Sequence, residues 1–251
     1  MIPKIIHYCW FGRGEMPELA IKCIDSWKKY LPDYQYKLWN EDNFDLDMFP
    51  YTREAYDNRK FAFVTDVVRL YALYTEGGIY MDTDVEVIRP LDEFLHHTAF
   101  SGFENAHDVP TGIMASEKHG KWVKDNLSYY ENKHFIKEDG TLELVSNVKT
   151  ITKLMLPFGL KRNNTYQDFE GYITFYPKDY FCPINILTGK AELTNNTATI
   201  HHFSGSWIKY NTFKSRLRRI LPLWVLYAYH KVVREWMNIQ RTAQKEKAIT
   251  K

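Results

Sequence analysis

The stretch FAFVTDVVRLYALYTEGGIYMDTDVEV, residues 61–87, decides the fold. Its first part, Phe61–Glu76, predicts a largely apolar helix, and the double glycine that follows is a typical helix stop. Ile79–Met81 then predicts a buried strand, and Val85–Ile88 predicts a second extended segment. Because a helix and strands alternate with short connections, the stretch favours an α/β domain.

The sequence on both sides of this stretch extends the same pattern. We predict strands at 2–8, 34–40, 98–104, 111–117 and 197–203, and helices at 16–32, 119–132 and 141–155. The acidic segment 41–47 is predicted to cap or begin a helix, whereas the turn-rich residues after 155 predict irregular structure up to the last strand. No repeat or linker is evident before residue 213. We therefore expect one domain over 1–212 and a helical tail over 213–251.

Composition and charge exclude several classes of protein. A hydrophobic fraction of 45% with 25% charged residues excludes wholesale disorder. The formal net charge of +2 divides unevenly, because ten Lys/Arg and two Glu after residue 213 give the tail +8 and leave −6 for residues 1–213. An acidic body argues against binding of nucleic acid.

Asp82 and Asp84 follow the predicted strand directly. In an extended chain, residues i and i+2 point to the same side, and in a turn the two acids would still lie close together. Two neighbouring carboxylates repel each other unless a cation compensates, and Mg²⁺ or Mn²⁺ prefers oxygen ligands of this kind. The alternative is a solvated turn that carries two acids. The position at the end of a buried strand favours a metal site that meets a diphosphate.

Asp66 and Arg69 interrupt the apolar helix at i, i+3 and therefore share one face of it. An intrahelical ion pair is one explanation. Burial of charges is costly unless they have partners or a function, so the alternative is that both side chains face a polar ligand.

Together these motifs resemble the DXD-motif sugar transferase family. This family includes bacterial capsular and lipopolysaccharide glycosyltransferases and the yeast initiating α-1,6-mannosyltransferase, and it is related to the glucosyltransferase domains of clostridial toxins. The resemblance rests on residues 61–87, on the opening IPKIIHYCWFG (2–12) and on HHFSGSW (201–207), so that it covers residues 1 to about 210. It implies a GT-A fold, an α/β nucleotide-sugar-binding domain with a mixed central sheet.

The resemblance also implies roles for individual residues. Asp82 and Asp84 would hold Mn²⁺ (or Mg²⁺) and the nucleotide-sugar, and Asp66 and Arg69 would bind hydroxyls of the transferred sugar. His201 or His202 would supply a late metal ligand, with His201 preferred. The implied donor-binding residues are Ile6, His7, Trp10, Tyr80, Ser206 and Trp207. The segment VSNVKT (145–150) departs from the usual family pattern, and Asn147 within it is a further donor-side candidate.

The implied activity is metal-dependent, retaining transfer of a hexose from a nucleotide-sugar to a glycan or lipid-linked acceptor in surface polysaccharide synthesis. UDP-sugars are the favoured donors, with GDP-mannose as the alternative. Two other classes remain open, a phosphohydrolase that uses Asp-x-Asp and an inert sugar- or membrane-binding protein on the same fold. Turnover of a donor would separate these classes.

The tail and the cysteines bear on location. The N-terminus lacks a signal-peptide pattern, and three unpaired cysteines favour a reducing compartment, so we expect a cytoplasmic protein. Residues 214–241 combine basic residues with an apolar, aromatic stripe. This combination suits either a helix that contacts the inner face of an anionic membrane or a helix that docks on the body of the protein.

Overall fold

The computed structural model describes residues 1–185 and 188–204. These residues belong to two compact units, a main unit of Met1–Pro183 with the segment that starts at Glu192, and a second unit that includes Ile184–Ala191. The predicted tail, Ser206 and Trp207 lie outside the described residues, so the predicted boundary at residue 212 stays a prediction. Within the described residues, no helix is both long and apolar enough to cross a membrane.

The main unit is an α/β structure built around a seven-stranded mixed sheet, as the sequence predicts. The strands are β1 (Ile5–Cys9), β2 (Gln35–Trp39), β3 (Gly78–Met81), β4 (Val85–Val87), β5 (Ala99–Gly102), β6 (Ile113–Ser116), β7 (Gln167–Phe169), β8 (Ile173–Tyr176) and β9 (Thr199–His201). The helices are α1 (Glu18–Tyr30), α2 (Pro50–Asp57), α3 (Phe61–Glu76), α4 (Lys121–Ser128), α5 (Asn147–Met155) and α6 (Lys178–Phe181).

The large sheet has the order β2-β1-β3-β6-β5-β8-β7, and β4 and β9 form a separate two-stranded ribbon. Strands β1, β2 and β3 are parallel, β6 runs antiparallel to both β3 and β5, and β5 is parallel to β8. The carboxyl ends of β1, β3 and β5 therefore lie at one edge of the sheet, which is where ligands of α/β proteins tend to bind.

The connection between α3 and β3 explains the double glycine. Gly77 and Gly78 have φ angles of +71° and +111°, which favour glycine. A Cβ atom would lie 2.6 Å from the Lys118 backbone nitrogen at Gly77 and 2.6 Å from the Ile5 carbonyl oxygen at Gly78. The glycines thus let a buried helix pass directly into a central strand.

Several predicted elements are corrected by the structure. The first strand begins at Ile5 rather than at residue 2, and the helix predicted over 141–155 comprises only Asn147–Met155. The region after residue 155 is not wholly irregular, because β7, β8 and α6 form there. These elements have only three or four residues each, which is too short for periodicity to show. All four residues of β8 are buried where this strand pairs with β5 and β7.

Helix α1 secures the β4–β9 ribbon. The buried Trp27 donates a hydrogen bond from its indole Nε1 to the Val85 carbonyl oxygen over 2.6 Å, and the Val87 amide donates to Ser26 Oγ over 2.9 Å. One edge of β4 is thus held by α1, and β9 pairs with β4 along its length.

We predict that Trp27→Phe lowers the free energy of unfolding by roughly 1–2 kcal/mol more than Trp122→Phe. Both tryptophans are fully buried, but the Trp122 indole nitrogen has no hydrogen-bond partner among the described residues. Only the Trp27 variant therefore leaves a carbonyl oxygen unpaired. Urea unfolding of both variants measures the difference, and equal losses would contradict the bracing role of Trp27.

Candidate active site

The two acids of the DXD sequence lie in a turn between β3 and β4. Strand β3 ends at Met81, the Asp82 amide donates to the Gly112 carbonyl oxygen over 2.8 Å, and the Val85 amide donates to the Asp82 carbonyl oxygen over 3.0 Å. Of the two backbone conformations considered from the sequence, the structure therefore has the turn. It places both carboxylates at the carboxyl end of a central strand.

The ribbon brings a histidine to these acids. Val85 pairs with His201 in the β4–β9 register, and the His201 Nε2 atom lies 3.4 Å from Asp84 Oδ1. One ligand atom from each of Asp82, Asp84 and His201 lies within 4.8 Å of the others. The neighbouring His202 instead places its Nε2 atom 2.8 Å from Glu86 Oε2.

The electrostatics of this group favour an ionised carboxylate at Asp84. Burial alone would raise the pKa of Asp84, but hydrogen bonds from His201 and from the Ser204 amide hold that pKa well below its usual range. The Ser204 amide donates to Asp84 Oδ2 over 2.8 Å. Burial opposes charge on His201, yet the Asp84 carboxylate raises the pKa of His201. The histidine and the carboxylate thus each favour the charged form of the other.

Arg69 links the helix to the turn. Its Nη2 atom lies 3.4 Å from Asp66 Oδ1 and 3.1 Å from Asp82 Oδ1. Its guanidinium also stacks over the Tyr80 ring, 4.5 Å from the ring centroid, and the Tyr80 hydroxyl donates to Asp82 Oδ1 over 2.8 Å. The intrahelical pair considered from the sequence exists, but the same guanidinium also holds Asp82.

Negative charge is in excess around this cluster. Burial raises the pKa of Asp66 to about 7, because the attraction of Arg69 does not offset desolvation and the repulsion from Asp82. Burial likewise raises the pKa of Glu104 to about 7, with Asp82 and Asp108 adding repulsion. A cation bound nearby would relieve this repulsion.

Sequence reasoning missed Glu104 and Gly112. Glu104 follows β5, and nothing in the local sequence links it to an acid pair twenty residues away. Gly112 is packed against the site, because a Cβ atom there would lie 3.0 Å from His201 Cε1 and 3.1 Å from Asp82 Oδ2. A glycine immediately before a buried strand is the one signal that pointed to such a close approach.

The other predicted donor-side residues lie at several positions around this edge. Ile6 and His7 are fully buried in β1. Both ring nitrogens of His7 have hydrogen-bond partners within the core. Its Nε2 lies 2.8 Å from the Gly77 carbonyl oxygen, and its Nδ1 accepts from Trp39 Nε1 over 3.1 Å. Trp10, just beyond β1, is half-buried and donates from Nε1 to the Gly14 carbonyl oxygen over 2.6 Å.

Asn147 begins helix α5 next to the acidic cluster. It is buried, and its backbone amide interacts with the Asp66 carboxylate. Its side-chain Nδ2 has no hydrogen-bond partner within the described part of the chain. The Asn147 backbone amide therefore lowers the pKa of Asp66, and its side chain leaves a buried donor for another group.

The residues present fit a divalent cation. Two carboxylates and one imidazole nitrogen converge, carboxylate oxygens are ligands that suit both Mn²⁺ and Mg²⁺, and Arg69 alone leaves the acids under-compensated. Asp82, Asp84 and His201 would hold the ion. His202 lies outside this group because it pairs with Glu86.

Comparison with known proteins identifies a matched sugar-binding region and several relatives. Residues 17–101 match the family model described as glycosyltransferase sugar-binding region containing DXD motif. Inositol phosphoceramide mannosyltransferase 3 of Schizosaccharomyces pombe is 35% identical over 121 residues, which are 47% of this chain and 34% of that protein. Mannosyl phosphorylinositol ceramide synthase SUR1 of Saccharomyces cerevisiae is 30% identical over 147 residues, covering 54% of this chain and 37% of that protein.

Among solved structures, a glycosyltransferase involved in the glycosylation of the major capsid of PBCV-1 has a TM-score of 0.45 and 16% identity, covering 80% of this chain and 95% of that one. The chain spans little more than a third of the length of the two curated relatives named above. The family resemblance predicted from the sequence is confirmed over residues 17–101, the region that matches the model of glycosyltransferase sugar-binding regions containing the DXD motif and that includes Asp82 and Asp84.

Proposed function

We propose that the chain is a metal-dependent glycosyltransferase that moves a hexosyl group from a nucleotide-sugar to an acceptor hydroxyl. The observation that carries the proposal is the convergence of Asp82, Asp84 and His201 at a strand end, joined to Asp66 through Arg69. The matched sugar-binding region supports it further. We propose a GT-A domain, because the mixed sheet and the position of the acids are those expected of that fold.

The relatives guide the choice of donor and acceptor. The matched yeast proteins are named as an inositol phosphoceramide mannosyltransferase and a mannosyl phosphorylinositol ceramide synthase. We therefore propose mannose as the transferred sugar, which favours GDP-mannose, the alternative donor in the sequence analysis, over the UDP-sugars. A glycan or lipid-linked acceptor in surface polysaccharide synthesis is part of the same proposal.

In this proposal, the residues of the helix and the turn position the sugar. Asp66 accepts hydrogen bonds from sugar hydroxyls. Arg69 holds Asp82 in place and donates a hydrogen bond to the nucleotide-sugar. The Tyr80 hydroxyl fixes the orientation of the Asp82 carboxylate. Holding the reacting groups in this way removes part of the entropic cost of the transfer.

The cation would neutralise negative charge as it develops on the leaving diphosphate. We propose Mn²⁺ rather than Mg²⁺, because an imidazole nitrogen accompanies the two carboxylates. For a retaining transfer without a protein nucleophile, the acceptor oxygen attacks the anomeric carbon from the face that the diphosphate leaves. The bond from the anomeric carbon to the diphosphate breaks, and the acceptor proton passes to the departing phosphate oxygen.

Two further parts of the proposal rest on sequence alone. We propose that residues 214–241 contact an anionic membrane, because they combine basic residues with apolar and aromatic ones. A location at the inner face of the cytoplasmic membrane follows from this contact.

We predict that the full chain hydrolyses at least one nucleotide-sugar in the presence of Mn²⁺ and that His201→Ala lowers the rate by about a hundredfold or more, as loss of a metal ligand does. His202→Ala is the matched control, since it removes the adjacent histidine that pairs with Glu86, and it should keep most of the activity. A panel of UDP-sugars and GDP-mannose, assayed by nucleoside diphosphate release, measures both variants.

If no donor is turned over, the transferase proposal is contradicted and the alternative of an inert binding protein is favoured. Release of inorganic phosphate from simple phosphomonoesters, without turnover of any nucleotide-sugar, would favour the phosphohydrolase. Equal losses in the two histidine variants would contradict the assignment of His201.

We also predict a pH-dependent stability difference between the wild-type chain and Asp66→Asn. The pKa of Asp66 is raised from its usual value near 4 to about 7 in the folded state. Between these values the unfolded chain has lost this proton while the folded chain retains it, so the wild type loses stability relative to the variant as pH rises from about 4 to about 7. Urea unfolding in EDTA across this range measures the difference, and a constant difference would contradict the buried, uncompensated carboxyl.

A further inference from the structure

A small basic pocket lies on the side of helix α5 that faces the loop after β5. It has a volume of about 210 Å³, which is below the range of pockets for drug-sized ligands and therefore suits a small group rather than a whole nucleotide-sugar. Its lining residues are Asp108, Lys149, Thr152, Lys153, Leu156 and Arg162.

The charges of the pocket are positive and partly uncompensated. The negative charge of Asp108 is paired with Arg162, because its Oδ1 atom lies 2.6 Å from Arg162 Nη2. Lys149 and Lys153 are exposed and stand at i, i+4, an arrangement in which like charges repel. Within residues 1–185 and 188–204, neither lysine forms an ion pair with a carboxylate.

The walls of the pocket are held rigidly together. Thr152 Oγ1 accepts from the Val109 amide over 2.9 Å and donates to the Val109 carbonyl oxygen over 2.8 Å. Arg162 Nε donates to the His107 carbonyl oxygen over 3.1 Å. The loop 103–112 is thus fastened to α5 and to Arg162, so the Arg162 guanidinium is held in place, which lowers the cost of binding an anion there.

The pocket lies near the candidate active site but is separate from it. Asn147 at the start of α5 contacts Asp66 through its backbone amide. With a rise of about 1.5 Å per residue, Lys149 and Lys153 lie roughly 3 and 9 Å farther along the helix axis. None of the pocket residues belongs to the Asp82, Asp84 and His201 group, which would face the diphosphate of the donor. An anion in the pocket would therefore belong to the other substrate.

Exposed apolar side chains lie at one end of the pocket. Leu156 is 46% exposed and lines the pocket, and Phe158, two residues farther along the chain, is 50% exposed. A phosphate carried on an apolar chain would meet both the cations and this exposed apolar surface. A free sugar phosphate would meet only the cations.

We propose that this pocket is an acceptor subsite, in which Lys149, Lys153 and Arg162 bind the phosphoryl group of a lipid-borne acceptor. The subsite rests on the proposed transfer function and adds to it the chemical class of the acceptor. Charge-assisted hydrogen bonds from the two lysines and the anchored guanidinium would hold the phosphate, while the hydroxyl to be glycosylated reaches the donor beyond the start of α5.

Calorimetric titration of the full chain in EDTA tests the subsite, because chelation removes any contribution of a metal ion to phosphate binding. The probes are inorganic phosphate and soluble dioctanoyl phosphatidylinositol. We expect both to bind the wild type, the lipid more tightly, and we expect Lys149→Gln/Lys153→Gln to weaken both by about tenfold or more. The control Lys118→Gln/Lys124→Gln removes the same charge from exposed lysines outside the pocket and should leave both affinities unchanged.

Failure to bind phosphate, or equal weakening by the two double variants, would overturn the subsite. Equal affinity for inorganic phosphate and the lipid would overturn its assignment to a lipid-borne acceptor. The outcome is separable from that of the transferase proposal. Donor hydrolysis without phosphate binding rejects only the subsite, whereas phosphate binding without turnover of any donor rejects the transferase.

Discussion

The candidate site depends on one buried guanidinium. Arg69 lies within 3.4 Å of Asp66 and within 3.1 Å of Asp82, so a single positive charge serves a carboxyl on the helix and one in the turn. A buried charge without a partner is strongly destabilising, and this bridge therefore couples the position of helix α3 to that of the DXD turn. The double glycine makes the coupling possible, because it lets the helix end directly at the strand that carries the turn.

The same arrangement leaves the site short of positive charge. Asp66, Asp82, Asp84 and Glu104 surround one arginine and one histidine, and burial raises the pKa of both Asp66 and Glu104 to about 7. Such a cluster costs stability in the absence of a ligand, which is typical of sites that bind rather than of structural ion pairs. A divalent cation and the hydroxyls of a sugar would supply the missing partners.

Local patterns predicted the elements that carry the site. The bounds of α3 agree with the prediction, since its apolar face and the glycine stop directly after it are local features of the sequence. The family resemblance assigned Asp66, Arg69, Asp82 and Asp84 to one donor site, and in the structure Arg69 lies close to both Asp66 and Asp82. Sequence reasoning did not predict Glu104 or Gly112, because their proximity to Asp82 arises from the pairing of β3, β6 and β5. It preferred His201 to His202 without fixing the choice, which depends on the register of β9 against β4.

The central claim is that Asp82, Asp84 and His201 form one cation site. Crystals of the full chain grown with Mn²⁺ and measured near the manganese absorption edge test it most directly. The account predicts an anomalous difference peak in contact with all three side chains. A peak held by His202 and Glu86, or a fully occupied ion that contacts neither Asp82 nor Asp84, would contradict it.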